Sequence, residues 1–232
     1  MIISGRNAIT ELLRAGKRVE KVLSVKPLDD ELQYLVQNQK VPHETIDDKQ
    51  MVRLTKSKKP QGLVAFVPEY KYCDVEDIYN VDNPFIVILD GIQDPHNLGS
   101  IIRACECAGV SGIILPKNRA CDVNETVYTT SAGAIANMKI AMVTNLNETI
   151  RTLKNKNIWV YALEADGQDI YSTNLQGGLA LVVGSEGFGV HRLTKETCDG
   201  VLSLPMSGQV NSLNASNACA IAVYEAVRQR RI

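Results

Sequence analysis

The sequence predicts an α/β protein in two parts: a parallel sheet covered by helices on both faces, preceded by a smaller α/β domain. Continuous apolar runs stand at Phe85–Leu89, Gly112–Leu115, Lys139–Val143, Ile158–Leu163, Leu179–Val183 and Val201–Leu204, most of them separated by helical stretches. Strands apolar on both sides of the pleat belong in a parallel sheet with both faces buried. Upstream of Pro84 the elements are shorter and the charge balance reverses. Residues 1–68 hold 12 Lys and Arg against 8 Asp and Glu, whereas residues 69–232 hold 13 against 18.

In chain order, Ala8, Ile9, Leu12 and Leu13 lie at helical spacing within 5–15, and Gly16 ends that run. Val19 to Val25 alternates apolar and polar residues, which predicts a strand. Leu28, Leu32, Leu35 and Val36 predict a helix over 28–39. A short extended piece, a short helix over 47–54, a lysine-rich loop and a strand over Gly62–Val67 complete a small domain at 1–68. Residues 69–84 are acidic, weakly periodic and closed by Pro84, and read as a linker with room for one helical turn. Residues 85–232 form the larger domain, with ligands expected at the C-terminal ends of its strands.

Composition narrows the class. The 232 residues are 45% apolar and 22% charged, ordinary for a globular chain. No apolar run approaches the roughly 20 residues that span a bilayer. The stretch Met1–Arg6 lacks a signal-peptide pattern, so the expectation is a cytoplasmic protein with no membrane partner. The six cysteines form no CxxC pair and the three histidines lie far apart, which favours free thiols over a disulfide framework or a metal site. The basic surplus concentrates in Lys49–Lys59, so a polyanion would meet the N-terminal domain first.

Three loops carry the candidate chemistry. After the first strand of the larger domain, Pro95 and Asn97 mark a helix start and Gly99 leaves room for close backbone approach. Ile101, Ile102, Ala104, Cys105 and Ala108 form one apolar arc of that helix, with Arg103 nearly opposite and beside Glu106. Arg103 reads either as a surface partner of Glu106 or as a planar donor that grips phosphate. The second loop, Gly184-Ser185-Glu186-Gly187-Phe188-Gly189, brackets one carboxylate with glycines. Glu186 would repel a pyrophosphate and the glycine order is wrong, so a nicotinamide cofactor is disfavoured. A ligand with hydroxyl, amine or cationic groups fits better, and S-adenosylmethionine has all three. In the third loop an apolar run stops at Pro205, turns through Gly208 and reopens as a helix, with Ser212 as the candidate N-cap.

In order and spacing, N-x-G-x-x-x-R from Asn97 to Arg103, G-S-E-G-F-G from Gly184, and L-P-M-x-G-x-V-x-S-L-N from Leu204 to Asn214 resemble motifs 1, 2 and 3 of the SpoU/TrmH (SPOUT) RNA 2′-O-methyltransferases. Within that family the chain is similar to the bacterial 23S rRNA guanosine 2′-O-methyltransferases. Gly5-Arg6-Asn7-Ala8 and Gln61-Gly62-Leu63-Val64-Ala65 resemble the family's L30e-like RNA-binding domain. Pro60 departs from it, standing where a histidine is expected. The resemblance implies a deep trefoil knot in the C-terminal domain, a homodimer formed through that domain, and an active site completed across the interface.

The resemblance also implies roles. Arg103, Asn97, Glu186, Ser212 and Asn214 match the family's catalytic set. Gly184, Glu186, Gly187, Leu204, Met206 and Leu213 fall at the positions that hold S-adenosylmethionine, and no metal is required. Arg6, Arg53, Lys56, Lys58 and Lys59 are the candidate RNA contacts. An always-protonated guanidinium has no lone pair to act as a base. Arg103 is therefore expected to bind phosphate and stabilise the developing alkoxide. A tRNA methyltransferase and a non-catalytic RNA-binding protein of the same fold are the alternatives.

Overall fold

The computed structural model describes residues 1–56, 61–210 and 212–231. The chain begins β1 (Ile2–Ser4), α1 (Arg6–Arg14), β2 (Lys21–Ser24), α2 (Asp30–Asn38), β3 (His43–Thr45), α3 (Asp48–Thr55) and β4 (Leu63–Phe66). It continues through α4 (Glu76–Tyr79), β5 (Phe85–Asp90), α5 (Pro95–Cys107), β6 (Gly112–Pro116), α6 (Glu125–Thr130) and β7 (Ile140–Val143). It closes with α7 (Leu146–Asn155), β8 (Trp159–Asp169), β9 (Leu179–Gly184), α8 (Arg192–Thr197), β10 (Gly200–Ser203) and α9 (Ala215–Arg230). Packing divides these into two units, Met1–Lys71 with Val123–Asn137, and Tyr72–Asp122 with Met138–Ile232.

The first unit is a sheet in the order β1-β4-β2-β3, with β4 antiparallel to both neighbours and β2 parallel to β3. Leu23, Met51 and Val64 form a core cluster under it. The helices α2 and α3 start where side chains satisfy free backbone donors. Asp29 accepts from the Leu32 N–H, and Asp47 with Gln50 forms a reciprocal capping box. Gly5 holds φ at +105°, and a Cβ there would sit 2.5 Å from Gln61 Oε1, which explains glycine at this turn.

A later segment joins this unit. The Ser4 hydroxyl donates to Glu125 Oε1 at 3.0 Å, and Thr129 Oγ1 donates to the Ser4 carbonyl at 3.4 Å. Gly133, at φ +92°, packs so closely that a Cβ would lie 2.6 Å from Glu11 Cβ and 3.0 Å from the Asn7 carbonyl oxygen. The sequence reading assigns all of 85–232 to one domain; packing instead groups 123–137 with the N-terminal elements. α6 is short and half polar, and its long-range partners leave no periodic mark in the sequence.

The second unit is a six-stranded, wholly parallel sheet in the order β10-β8-β9-β5-β6-β7. Its central strands β5 and β9 are buried at every position, as their continuous apolar runs require. The stretch expected to be linker is packed here from Tyr72 onward. The Cys73 N–H donates to the Ile140 carbonyl at 2.9 Å, and Ile78 of α4 is fully buried against Gly112. A Cβ at Gly112 would lie 2.6 Å from Ile78 Cγ1, so that glycine makes room for α4.

Two features shape the rim where the strands end. β8 runs on to Asp169, past the expected Leu163, because it resumes pairing with the edge strand β10 at Gln168 and Asp169. Val201 pairs with Ala162 and the next residue, Leu202, pairs with Gln168, so Leu163–Gly167 bulge out between them. A Cβ at Gly167 would approach the Leu202 nitrogen to 2.7 Å. The second feature is the packing of α9 on α5. Ile101, Ile102 and Cys105 of α5 and Cys219, Ala222, Val223 and Ala226 of α9 are buried, and the small residues permit close approach. Burial raises the Cys105 thiol well above its usual range, with Cys219 adding to the effect.

Candidate active site

Three side chains from the three loops meet. Asn97, in the first turn of α5, is 8% exposed. Its Nδ2 donates to Glu186 Oε1 at 3.1 Å, and its Oδ1 accepts from Asn214 Nδ2 at 3.0 Å. Asn214 Nδ2 also donates to Glu186 Oε1. The orientation of Asn214 is fixed by its place before α9. Its Oδ1 accepts from the Ser216 N–H at 3.0 Å and the Asn217 N–H at 3.4 Å, so its NH₂ must face the other two loops. The N-cap is thus Asn214, correcting the expectation of Ser212, and α9 begins at Ala215.

Local structure delivers each of these groups. Asp94 caps α5 and Pro95 occupies its first turn, which sets Asn97 at the end of β5. Gly184 ends β9 where a Cβ would overlap the Gly189 carbonyl carbon and the Val190 nitrogen. The loop therefore returns on itself, with Ser185 and Gly189 bonding reciprocally through their backbones at 3.1 and 2.9 Å. Glu186 projects from the exposed tip of that loop.

Beside the triangle lies a cavity of 720 Å³, within the usual span for a small-molecule ligand. The ends of β8, β9 and β10 and the start of α9 line it. Leu163, Val183, Leu202, Leu204, Met206 and Leu213 give it apolar walls, and Gly184, Glu186, Gly187, Ser212 and Asn214 also border it. Two lining residues are acidic, Glu164 and Glu186, and none is Lys, Arg or His among the described residues. The sequence reading missed Glu164, whose only sequence signal is a carboxylate near the end of an apolar run.

Arg103 and Ser212 stand apart from the triangle. Arg103 is exposed, forms no hydrogen bond or ion pair with the described residues, and does not line the cavity; the alternative partner Glu106 is not engaged by it. Six residues beyond Asn97, it lies about 9 Å farther along the helix axis. Ser212 is exposed on the cavity rim.

A further cluster was not singled out from the sequence. Asp90, 6% exposed at the end of β5, accepts from the His191 backbone N–H and from ring Nδ1, each at 2.9 Å. Arg119 Nη1 lies 3.4 Å from the other ring nitrogen. An aspartate closing an apolar strand was the available signal.

In the first unit, the candidate RNA contacts divide. Arg6 is engaged by Asp29 at 2.8 Å and Glu31 at 3.0 Å, which raise its already high pKa, so its charge is neutralised locally. Arg53 and Lys56 are exposed and form no ion pair with the described residues. Lys58 and Lys59 lie outside the described residues, as does Pro60.

The SpoU rRNA Methylase family matches residues 84–224, and the family of RNA 2′-O ribose methyltransferase substrate-binding domains matches residues 2–73. The chain is 39% identical to the 23S rRNA (guanosine-2′-O-)-methyltransferase RlmB of Escherichia coli (strain K12), covering 99% of this chain and 98% of that protein. Among solved structures it is similar to the SpoU methyltransferase AviRb from Streptomyces viridochromogenes, at 25% identity and TM-score 0.86 over 100% of this chain and 90% of the other. The structure of AviRb in complex with the cofactor AdoMet matches at TM-score 0.84 and 24% identity, over 99% and 89% of the two chains, and shows the shared fold. Three motif loops joined side chain to side chain at the ends of a parallel sheet, with one family match over residues 2–73 and the other over 84–224, lead to one conclusion: this chain belongs to the SpoU rRNA methylase family.

Proposed function

We propose that this protein methylates a ribose 2′-hydroxyl of RNA with S-adenosylmethionine as donor, and that its target is a guanosine of 23S rRNA. The observation that carries this reading is the Asn97–Glu186–Asn214 triangle beside a cavity bordered by two acids and, among the described residues, by no Lys, Arg or His. Such a cavity fits the donor. Its apolar walls suit an adenine, its polar rim suits ribose hydroxyls and an ammonium, and the acids suit a cationic ligand. Gly184, Gly187, Leu204, Met206 and Leu213 would hold it.

When bound, S-adenosylmethionine supplies an electrophilic methyl group on a sulfonium. This chain's residues do the rest. Asn97 and Asn214 lock Glu186 and with it the relative position of the three loops, so the reacting groups are held without reorganisation. Arg103 binds the phosphate next to the target ribose and stabilises charge growing on its 2′-oxygen. The hydroxyl proton passes to that phosphate or to water, because the guanidinium has no lone pair. Ser212 holds the loop or the phosphate.

Arg103 lies outside the cavity of its own chain, which supports a homodimer in which it serves the partner's site. The surface of α9 supports the same arrangement. Val223, Ala226 and Val227 are buried within their own unit, whereas Ile221 and Tyr224 are 40% and 49% exposed on one side of the helix. In the first unit, Arg53 and Lys56, with Lys58 and Lys59, would supply the salt-sensitive part of RNA binding. No helix among the described residues is long and apolar enough to cross a membrane, and the ribosomal target fits a cytoplasmic protein.

Incubation with methyl-labelled S-adenosylmethionine and separate pools of rRNA and tRNA tests the proposal. Label resistant to alkaline cleavage at one guanosine of 23S rRNA is expected. Incorporation into tRNA alone would move the target, and none into either pool would refute the activity.

A further inference from the structure

Glu164 has no counterpart in the three motifs, yet the fold takes trouble to bring it to the cavity. It sits in the five-residue bulge Leu163–Gly167, where β8 leaves its register with β10. A bulge re-aims side chains that a regular strand would alternate between faces. The Glu164 Oε1 accepts the Val190 N–H, and Gly189, at φ +66°, passes so close that a Cβ would overlap the carboxylate. Hence the carboxylate is pinned against the returning motif-2 loop, with one oxygen committed to the backbone and no cation paired to it among the described residues. Lys195, whose ammonium reaches the same bulge, lies 3.6 Å from Asp166.

Resting on the methyl-transfer reading above, we infer that Glu164 is a charge sensor for the donor, making the cavity favour S-adenosylmethionine over the spent S-adenosylhomocysteine. The donor carries a sulfonium, an ammonium and a carboxylate, a net single positive charge. Transfer breaks the sulfonium's carbon–sulfur bond, forms the carbon–oxygen bond at the ribose and leaves a neutral thioether, while the hydroxyl proton departs to phosphate or water. The product therefore has no net charge. Glu186 contributes the same sign, but its Oε1 is taken by two amide groups; Glu164 has only the one backbone donor. A fixed carboxylate on the cavity wall attracts the net cation more strongly than the net-neutral product, which speeds exchange of product for fresh donor.

Calorimetric titration of the full-length protein with each ligand tests this without reference to turnover. Glu164→Gln keeps an oxygen for the Val190 N–H and removes the charge. It should weaken S-adenosylmethionine by about 10-fold and leave S-adenosylhomocysteine within about 2-fold. Glu164→Asp, which keeps the charge, should preserve most of the preference. In the wild type, raising salt should weaken the donor more than the product. Equal losses for both ligands in Glu164→Gln would make Glu164 a loop brace only and overturn the inference. Equal salt dependence of the two ligands in the wild type would do the same, even if the variant fails to fold. A wild type that binds neither ligand would instead refute the cofactor reading itself.

Discussion

Asn97 and Asn214 stand 117 residues apart in sequence and share a hydrogen bond of 3.0 Å, with Glu186 bonded to both. Each amide has a second duty: Asn97 belongs to the first turn of α5, and Asn214 caps α9. The bond therefore couples the starts of two helices that also pack against each other. Asn97→Asp should turn one donor into a second carboxylate facing Glu186. The expected result is a stability loss of about 1–3 kcal/mol in denaturant titration, together with a fall in methyl transfer. Unchanged stability would mean that the triangle does not hold the loops.

Gly184→Ala tests the loop return. The new methyl would collide with backbone at Gly189 and Val190, atoms that cannot swing aside as a side chain can. Loss of S-adenosylmethionine binding and destabilisation by about 1–3 kcal/mol are expected from such overpacking. A calorimetric titration like that of the wild type would show that the loop has room to spare.

The basic segment is tested by Arg53→Gln/Lys56→Gln. Removing these two proposed phosphate contacts should lower the slope of log affinity against log salt by about 2. Arg6→Gln should leave that slope nearly unchanged, because Asp29 and Glu31 already balance Arg6. Filter binding with an rRNA fragment across a salt series separates the two outcomes.

Thiol chemistry gives an independent test of the packing. Burial pushes the Cys198 thiol up to about 12, with Asp199 adding to the effect. Cys107 is exposed. Alkylation at pH 8 followed by mass spectrometry should mark Cys107 and spare Cys105, Cys198 and Cys219. The sign of the linked stability follows from the order of ionisation. The unfolded chain loses its thiol proton near the ordinary value of 9.0 and the folded chain near 12, so the Cys198 contribution is complete below pH 9 and declines as pH rises above it.

Much of the second unit was legible because its strands are buried on both faces and leave continuous apolar runs. The motif loops were equally legible, since Asn97, Glu186 and Asn214 are polar groups at the ends of such runs and the structure joins all three. What escaped depends on register or on distant partners. The bulge at Leu163–Gly167 arises from a jump in pairing that apolar periodicity does not encode, and Glu164 was hidden with it. β1, three residues long, is recognisable only beside its partner β4. The α6 segment reveals its unit through Ser4–Glu125 and Gly133–Glu11, contacts made across more than a hundred residues. Ser212 and Asn214 are both acceptable caps by residue type, and only the backbone angles at Asn214 decide between them.

In the proposed mechanism Arg103 acts on the RNA and not on the donor, from a surface outside its own chain's cavity. Arg103→Ala, assayed with S-adenosylmethionine and its rRNA target, is the direct measurement. Methyl transfer should fall by a factor on the order of 100 or more, while donor affinity by calorimetry stays within about 2-fold. Turnover near that of the wild type would contradict the central claim.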